Sequence, residues 1–373
     1  MAEQSAKDAK RSRQDELVAL AKRRGFFWPS YEIYGGLAGF YDYGPLGFLM
    51  KDNLVSLWKK YFVIKEGFLG IDSPIIGPEE VFRASGHLAT FADLIVECSS
   101  KECNYAARVD HLAKEIVALN EEEGWQNEEV RKFKEILIGI AEERHKDPVF
   151  IGDIFSKVGV KCTLCGAELA IPKPFNLMFS TKVGPGKGKQ GYLRPETAQS
   201  MFVNFLLLYR VNREKLPVGI VQIGRSFRNE IAPRQGMIRL REFNQAEAEI
   251  FFDPLSKDHP AFDSIANDRA LFITGEGTVL KGATFGELVG NGTINSKALA
   301  YYMAITRRFL LDAGLSPQKI RFRQHKKSEM AHYASDCWDV EACLWAAAAD
   351  EKGKADEGSL MNEQWLEIVG IAD

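Results

Sequence analysis

The residues best suited to chemistry lie in the stretch 225–253, RSFRNEIAPRQGMIRLREFNQAEAEIFFD, which holds five arginines and four glutamates. If MIRLREF forms a strand, period-two alternation places Arg239, Arg241 and Phe243 on one face. Guanidinium groups can bind phosphate oxygens through paired hydrogen bonds, and an aromatic face can stack on a nucleobase. The alternative interpretation is an exposed two-stranded antiparallel ribbon, whose cross-strand ion pairs each contribute little.

Arg228 comes just before the loop IAPRQG of this stretch, in which Pro233 and Gly236 supply the residues of a turn. Across the turn the arginines of MIRLREF would face Arg228. The pattern therefore predicts a phosphate-binding ribbon, with the exposed ribbon as the open alternative.

Six cysteines raise a separate hypothesis. Cys162 and Cys165 form a CxxCG knuckle, and Cys98 with Cys103 forms a looser pair nearly sixty residues earlier. These four are compatible with a four-thiolate zinc site, and reduced thiols that pack without metal are the alternative. The remaining pair, Cys337 and Cys343, is predicted to be buried as small apolar residues.

Composition limits the kind of protein that can position these groups. The chain has 373 residues, 46% of them hydrophobic, which is enough for one large domain or two ordinary ones. It has no apolar run near the roughly 20 residues of a membrane span, and MAEQSAKDAKRSRQDE is polar rather than a signal peptide. We therefore expect a cytoplasmic protein with no membrane partner. The net charge of −3 argues against a generally basic surface but leaves a local basic patch open.

Several elements are predicted from periodicity. Apolar residues at helical spacing, Leu46, Leu49, Met50, Leu54, Leu57, Trp58 and Phe62, predict a helix whose stripe packs into the core. A short β-prone run at 67–76 is closed by Pro74, and the following stretch, 79–98, is predicted to be mostly helical. A polar connection at 346–359 precedes a last strand in QWLEIVGIAD.

Strands and helices mix along the chain without βαβ alternation or a GxGxxG turn. This predicts an α+β fold with a largely antiparallel sheet flanked by helices. The cysteine pairs bracket a charged helical stretch, so we expect residues 98–170 to form an inserted helical, zinc-ribbon-like subdomain between main-body segments 1–97 and 171–373.

Two further patterns are better explained by ordinary structural residues than by a phosphate-binding or a metal-binding site. The segment GPGKGKQG, 184–191, lacks the spacing of a phosphate-binding P-loop and is predicted to be a flexible hairpin. The histidines show no metal-binding spacing, so His111, His325 and His332 are predicted to be hydrogen-bonding residues.

FRNE, Phe227 to Glu230, resembles motif 2 of the class II aminoacyl-tRNA synthetases, and GFLGIDSPII resembles motif 1, with Pro74 at the matching position. Blocks from about residue 22 onward resemble the glycine-specific members of archaeal and eukaryotic type. These blocks are YGGLAGFYDYGPLG, SGHLATFADL, RVDHL, FNLMF, GYLRPETAQ, FRNEIAPRQG, REFNQAEAEIFFDP, RFRQHKKSEMAHYASDCWD and WLEIVGIAD. From about residue 22 to its end, the chain is therefore identified as a member of this class.

The resemblance implies a ligase that activates glycine with ATP and Mg²⁺ and transfers it to tRNA(Gly). Glycine's carboxylate is already ionised at neutral pH, so its attack on the α-phosphorus needs alignment and charge neutralisation rather than a general base. The resemblance implies that Arg228 and Glu230 are the catalytic residues. Arg228 would hold the α-phosphate and the glycine carboxylate, and Glu230, with Asn229, would contact ATP.

The resemblance also implies two sets of binding residues. The ATP set is Arg228, Asn229, Glu230, Ile238, Arg239, Leu240, Arg241, Glu242, Phe243, Glu367 and Ile368. The glycine set is Arg108, Glu196, Phe243, Asn244, Gln245, Ala246 and Glu247. Within these sets, Phe243 would stack on the base, Glu196 and Glu247 would meet the ammonium group, and Glu367 would help to hold Mg²⁺.

Motif 1 implies a homodimer. The family pattern continues past IVGIAD into motif 3 and an anticodon-binding domain, so we expect weak or no aminoacylation by residues 1–373 and an open sheet edge. A truncated, catalytically weak or inactive synthetase-derived binding module is therefore the alternative function. A class II-like paralogue that acts on another carboxylate is a third interpretation, which Glu196 and Glu247 disfavour.

Overall fold

The computed structural model describes residues 16–231, 233, 237–327, 329–330, 334–343 and 365–373. The chain divides into two compact units. The first contains residues up to 50 together with 71–205 and 222–248, and the second contains residues 51–70, 206–221 and 249–373. The expected subdomain at 98–170 lies within the first unit, and its independence stays a prediction. Within the described ranges, no helix is long and apolar enough to cross a membrane.

The strands are short in the first half of the chain and longer towards the end. They are Phe27–Pro29, Tyr41–Tyr43, Leu69–Ile71, Ile76–Pro78, Ala92–Glu97, Ala106–Arg108, Lys173–Asn176, Ser180–Val183, Lys189–Leu193, Val218–Phe227, Glu242–Phe251, Arg269–Ile273, Val279–Thr284, Ile320–Gln324, Cys337–Cys343 and Trp365–Ala372.

The helices lie between and around these strands. The α-helices are Pro45–Lys59, Glu79–Ala84, His87–Thr90, Val109–Glu122, Glu128–Arg131, Lys134–Ala141, Pro148–Val158, Ala198–Val203, Phe205–Val211, Phe285–Gly290 and Lys297–Asp312. Residues 16–23 are also helical. A π-helical turn, Lys60–Lys65, and three 3₁₀ turns, Glu32–Tyr34, Phe262–Ser264 and Pro317–Lys319, complete the set.

Antiparallel pairing dominates the sheets. In the described chain, the strand pairs whose register is assigned are antiparallel, except that Arg269–Ile273 runs parallel to Ile320–Gln324. The strands Glu242–Phe251, Val218–Phe227 and Leu69–Ile71 form one three-stranded sheet in that order. The predicted α+β class with a largely antiparallel sheet is therefore confirmed.

The helices of residues 98–170 bury an apolar cluster. Asn127 and Asp147 cap two of these helices by accepting hydrogen bonds from backbone N–H groups, and Pro148 occupies a first-turn position where its missing N–H costs nothing. The cluster consists of Val96, Val109, Leu112, Ala113, Trp125, Val130, Leu137, Ile140, Ala141, Ile151, Ile154 and Phe155. The helical character predicted for this stretch is confirmed.

The second unit is built on a five-stranded sheet. Its order is Val279–Thr284, Arg269–Ile273, Ile320–Gln324, Cys337–Cys343 and Trp365–Ala372. Phe272 stacks on Phe322, with ring centroids 5.2 Å apart, and Trp338 packs edge-on to Phe272 at 6.0 Å. The predicted last strand is confirmed as Trp365–Ala372, while the polar connection predicted at 346–359 lies outside the described residues.

The hairpin predicted at residues 184–191 is confirmed. Ser180–Val183 pairs antiparallel with Lys189–Leu193, and Val183 lies opposite Lys189. Gly184, Gly186 and Gly188 adopt positive φ angles of 89°, 68° and 58° in the connecting loop. Glycine tolerates that backbone region without steric cost, which explains the glycine-rich composition.

The packing predicted for the helix Pro45–Lys59 is wrong over most of its length. Trp58 and Phe62 are buried, but four residues of the stripe are exposed by 45%, 55%, 64% and 47%: Leu46, Leu49, Met50 and Leu54. Helical periodicity shows which residues share a face, but it does not show that this chain covers that face.

Three local predictions are also wrong. Ala92–Glu97 is a strand in a stretch predicted to be mostly helical. Residues 237–241 form a turn and bends, so the strand predicted from MIRLREF begins only at Glu242. Cys337 is buried as expected, whereas Cys343 is partly exposed.

Candidate functional site

The site is centred on Arg228, which follows the strand Val218–Phe227. The guanidinium carbon of Arg228 lies 5.3 Å from the ring centroid of Phe243 and 5.5 Å from that of Phe91. Nε of Arg228 donates to the carbonyl oxygen of Pro195 at 3.2 Å, and its backbone N–H donates to the carbonyl of Arg241 at 3.0 Å. Two aromatic faces and one carbonyl therefore hold this cation in place.

Glu196 lies beside Arg228. Its Oε1 atom accepts a hydrogen bond from Nε2 of Gln199 at 2.5 Å and lies 3.4 Å from Nε2 of His87. Burial alone would raise the pKa of the Glu196 carboxyl, but His87, Gln199 and Arg228 together hold it below its usual value. Glu196 is therefore kept as an anion.

Glu247 is the second carboxylate of the site. The backbone N–H of Thr197 donates to its Oε2 at 2.6 Å, and the Thr197 hydroxyl donates to the same oxygen. Nε2 of Gln245 donates to its Oε1 at 2.8 Å. Burial raises the pKa of Glu247 and the negative charge of Glu196 adds to the shift, although the Thr197 hydrogen bonds oppose it.

Two buried amide oxygens of this site have no donor in the part of the chain that the structure describes. They are Oε1 of Gln199 and Oε1 of Gln245. A buried acceptor without a donor is costly, and each such atom in a native protein calls for an explanation. Together with the carboxylates, these oxygens form a set of acceptors suited to a small ligand with several N–H donors.

The strand Glu242–Phe251 explains which residues of 243–247 share the site. Side chains alternate along a strand, so Phe243, Gln245 and Glu247 lie on one face. Asn244 and Ala246 lie on the opposite, exposed face. The structure therefore brings three of these five predicted glycine-binding residues together with Arg228 and Glu196.

Other predicted ATP-binding residues support the loops around Arg228. Nε and Nη1 of Arg241 donate to the carbonyls of Glu230 and Ala38, both at 2.9 Å. Asn229 donates its backbone N–H to Leu177 at 2.8 Å. Arg241 therefore links the loop after Arg228 to the glycine-rich loop near Ala38.

Four more residues of the predicted ATP set lie in or next to the turn at 237–241. Nε of Arg239 lies 4.0 Å from Oε2 of Glu230, and Glu242 is ion-paired with Arg225. Ile238 is exposed, while Leu240 is buried. Their role in binding ATP stays a prediction.

Arg108 is surrounded by carboxylates. Its guanidinium lies 3.1 Å from Asp93, 2.9 Å from Asp110 and 3.3 Å from Glu143. These residues line a cavity of about 90 Å³. No hydrogen bond or ion pair joins Arg108 to Glu196, Glu247 or Arg228, all of which the structure describes. Arg108 therefore does not belong to the cluster around Arg228, and its contact with glycine stays a prediction.

Glu367 and Ile368 belong to the second unit. Glu367 lies opposite Glu341 in the strand pair, and Asp339 accepts from His325 at 2.7 Å and from Arg323 at 2.5 Å. Desolvation raises the pKa of Glu367, and the nearby charge of Asp339 adds to the effect. His325 is thus hydrogen-bonded as predicted, His111 lies 3.7 Å from Asp110, and His332 falls outside the described residues.

The four predicted cysteine ligands come together. An antiparallel bridge between Cys98 and Leu169 places the two pairs side by side, and Gly166 closes the CxxC turn with a φ of 75°. The four Sγ atoms lie within 4.8 Å of one another, with 3.5 Å between Cys98 and Cys165 and 3.6 Å between Cys103 and Cys162. A tetrahedral ion with thiolate bonds near 2.3 Å needs sulfur separations of roughly 3.8 Å, which these residues fit.

Four site residues were missing from the sequence-based set: His87, Phe91, Thr197 and Gln199. Each lies in a block that carried the resemblance, SGHLATFADL or RPETAQ. The blocks gave a signal for the segments, but only the folded geometry shows which side chains contact Glu196, Glu247 and Arg228.

A family model described as the tRNA synthetase class II core domain (G, H, P, S and T) matches residues 182–272. This segment contains Glu196, Arg228 and Glu247 of the site. Residues 182–272 therefore match a class II tRNA synthetase core domain.

The curated relatives that the chain matches are glycine–tRNA ligases. The chain is 47% identical over 364 residues to the glycine–tRNA ligase of Methanothrix thermoacetophila, covering 97% of this chain and 56% of the relative. It is 46% identical over 358 residues to the glycine–tRNA ligase of Archaeoglobus fulgidus, covering 96% and 55%. The chain is thus a homologue of glycine–tRNA ligases and spans about half the length of the curated relatives it matches.

A solved structure, Giardia lamblia prolyl-tRNA synthetase in complex with prolyl-adenylate, superposes with a TM-score of 0.43 and 14% identity, covering 87% of this chain and 40% of that chain.

Proposed function

We propose that this chain carries the glycine- and ATP-binding core of a glycine–tRNA ligase, which forms glycyl-adenylate and passes glycine to tRNA(Gly). The observation that supports this most is the cluster of Arg228, Glu196 and Glu247 with the donor-free oxygens of Gln199 and Gln245. A cation stands next to a set of acceptors, which is the complement of an amino acid with an ionised carboxylate and an ammonium group.

The geometry suits adenylate formation without a general base. The glycine carboxylate is already a nucleophile at neutral pH, so the site needs to align it and neutralise charge on the phosphoryl oxygens. Arg228 supplies the positive charge, and its two aromatic neighbours and the Pro195 carbonyl restrict its motion. We further propose that Glu367 is a ligand of the nucleotide-bound Mg²⁺, because carboxylate oxygens are preferred Mg²⁺ ligands.

Titration calorimetry tests this proposal with glycine and with a non-hydrolysable ATP analogue. We expect the chain to bind both, and to reject alanine because a filled pocket excludes an added methyl group. Arg228→Ala should weaken binding of the ATP analogue by about tenfold or more, because a charged hydrogen-bond partner of the α-phosphate is lost. Arg83→Ala, at an exposed ion pair of the first unit, is the matched control and should change nothing.

Binding of neither ligand would contradict the proposal. It would favour the second candidate, a synthetase-derived binding module that keeps the fold without the reaction. The observation that supports this second candidate is that the chain spans 56% of the length of the first relative.

We also propose a structural zinc ion held by Cys98, Cys103, Cys162 and Cys165, because their sulfur atoms have the spacing of a four-thiolate site. Such an ion would join the hairpin at 161–168 to the loop after Ala92–Glu97. Elemental analysis of protein purified without chelator should find one zinc per chain. Cys162→Ser with Cys165→Ser should remove it, while Cys343→Ser, outside the cluster, should leave it in place.

A homodimer and a cytoplasmic location complete the proposal. The exposed apolar residues Leu46, Leu49, Met50 and Leu54 share one helical face, which a second copy of the chain would cover. A cytoplasmic location follows from the proposed function, since the charged tRNA is used in translation.

A further inference from the structure

Resting on the proposed function, we propose that His87 is a positioning residue for glycine recognition: it fixes one oxygen of Glu196 so that the other oxygen is free for the ammonium group. The inference starts from the distribution of hydrogen bonds on the two site carboxylates. It concerns a residue of the block SGHLATFADL that the predicted site did not include.

The two carboxylates differ in how many oxygens are engaged. On Glu247, Thr197 occupies Oε2 and Gln245 occupies Oε1. On Glu196, both neighbours approach the same oxygen: Nε2 of Gln199 at 2.5 Å and Nε2 of His87 at 3.4 Å from Oε1. Oε2 of Glu196 has no hydrogen-bond or ion-pair partner among the described residues, so it is the carboxylate oxygen that a ligand can reach.

The surroundings of His87 set its orientation. Nδ1 of His87 lies 2.9 Å from Oγ of Ser85, and its ring centroid lies 5.4 Å from that of Phe91. Oγ of Ser85 lies closer to Nδ1 of His87 than to the carbonyl oxygen of Phe82, which is 3.4 Å away. With the Ser85 hydroxyl donating to Nδ1, the N–H of the imidazole is on Nε2 and is directed at Glu196. The backbone carbonyl of His87 also accepts from Nδ2 of Asn176 at 3.2 Å, which holds the short helix His87–Thr90 in place.

Gln199 offers a further acceptor next to Glu196. Its Oε1 is buried without a donor among the described residues, while its Nε2 is bound to Glu196. With His87 and Gln199 both on Oε1, the free Oε2 of Glu196 and the free Oε1 of Gln199 are two acceptors for a ligand with more than one N–H. A primary ammonium group fits this pattern, whereas a hydroxyl group offers a single donor.

The experiment compares the affinities of the chain for glycine and for a non-hydrolysable ATP analogue by titration calorimetry. His87→Ala should weaken glycine binding by about tenfold or more, because the contact of Nε2 with Oε1 of Glu196 is lost and the carboxylate is free to turn. ATP-analogue binding should change by less than about twofold. His87→Gln, whose amide N–H can reach the position of Nε2, should restore most of the glycine affinity.

Each result decides the inference. Unchanged glycine affinity in His87→Ala overturns it and leaves the proposed function standing. Equal loss of both ligands in His87→Ala, without rescue by His87→Gln, indicates a purely structural role and also overturns it. Wild-type protein that binds no glycine overturns both the inference and the proposed function.

Discussion

At the scale of single residues, the two half-buried carboxylates of the site, Glu196 and Glu247, differ in their hydrogen bonds. Glu196 is held as an anion by His87, Gln199 and Arg228, while burial and the charge of Glu196 raise the pKa of Glu247. Environments that shift neighbouring carboxyl groups in opposite directions are typical of functional sites. We therefore expect Glu196 to provide most of the attraction for an ammonium group and Glu247 to hold the loop at Thr197.

The raised pKa of Glu247 predicts a pH-dependent effect of Glu247→Gln on stability. A group whose pKa is raised on folding contributes stability below its unfolded value, and that contribution is lost as the pH rises through the folded value. The Gln variant does not ionise. Its melting temperature minus that of the wild type should therefore become more positive as the pH rises from about 4.5 to 7.5.

Differential scanning calorimetry across that pH range checks this prediction. Glu129→Gln is the control, because the Glu129 side chain is 76% exposed and forms an ion pair with Lys132 on the surface. A difference for Glu247→Gln that is flat, or that falls with rising pH, would contradict the assignment.

At the scale of elements, a glycine near the end of the strand Val218–Phe227 leaves room for a neighbouring arginine. A Cβ atom added to Gly224 would overlap Nη2 of Arg194. Arg194 is buried, and its Nε and Nη1 donate to the carbonyls of Arg225 at 2.8 Å and Ser73 at 3.0 Å. Gly224 therefore makes room for a buried cation that ties the site loop to two neighbouring segments.

Gly224→Ala should consequently reduce the free energy of unfolding by roughly 2–3 kcal/mol, because the displaced guanidinium loses its carbonyl partners while it stays buried. Chemical denaturation measures the change. Gly290→Ala is the matched control, since an added Cβ there meets no atom within 4 Å and the residue closes a helix. Equal stability of the two variants would show that Arg194 relocates at no cost.

Elements were predicted well where local chemistry decides them and poorly where packing does. Glycines at positive φ specify the hairpin at 184–188, and the cysteine knuckle depends on Gly166, so both could be predicted from the residues alone. The stripe on Pro45–Lys59 was predicted to be core because periodicity identifies a face without identifying its partner.

The site shows the same division. Matching blocks identified Glu196, Arg228 and Glu247, which are far apart in sequence and close in the fold. They could not show that His87 and Gln199 both contact one oxygen of Glu196, or that Arg241 donates to the carbonyl groups of Glu230 and Ala38. Such choices depend on distances of a few tenths of an ångström, which spacing along the chain does not determine.

At the scale of the whole molecule, the exposed face of Pro45–Lys59 predicts self-association. Leu46, Leu49, Met50 and Leu54 lie at positions i, i+3, i+4 and i+8, so they form one apolar face, and all four are more than two-fifths exposed. Burying such side chains against a second copy would gain about 25 cal/mol per Å² of apolar surface. We therefore expect sedimentation equilibrium to give twice the chain mass of 41.8 kDa.

Leu49→Glu combined with Met50→Glu should convert the dimer to a monomer at micromolar concentration, because a dimer contact would have to bury two carboxylates without partners. Leu119→Glu is the control: Leu119 is 60% exposed on the helix Val109–Glu122, away from this face in sequence, and should leave the mass unchanged. Circular dichroism should show the same helix content for all three proteins, since each substitution lies on an exposed helical position. A wild-type monomer, or a double variant that sediments as a dimer, would exclude this helix as the interface, because the same apolar surface would then remain in water or lie outside the contact.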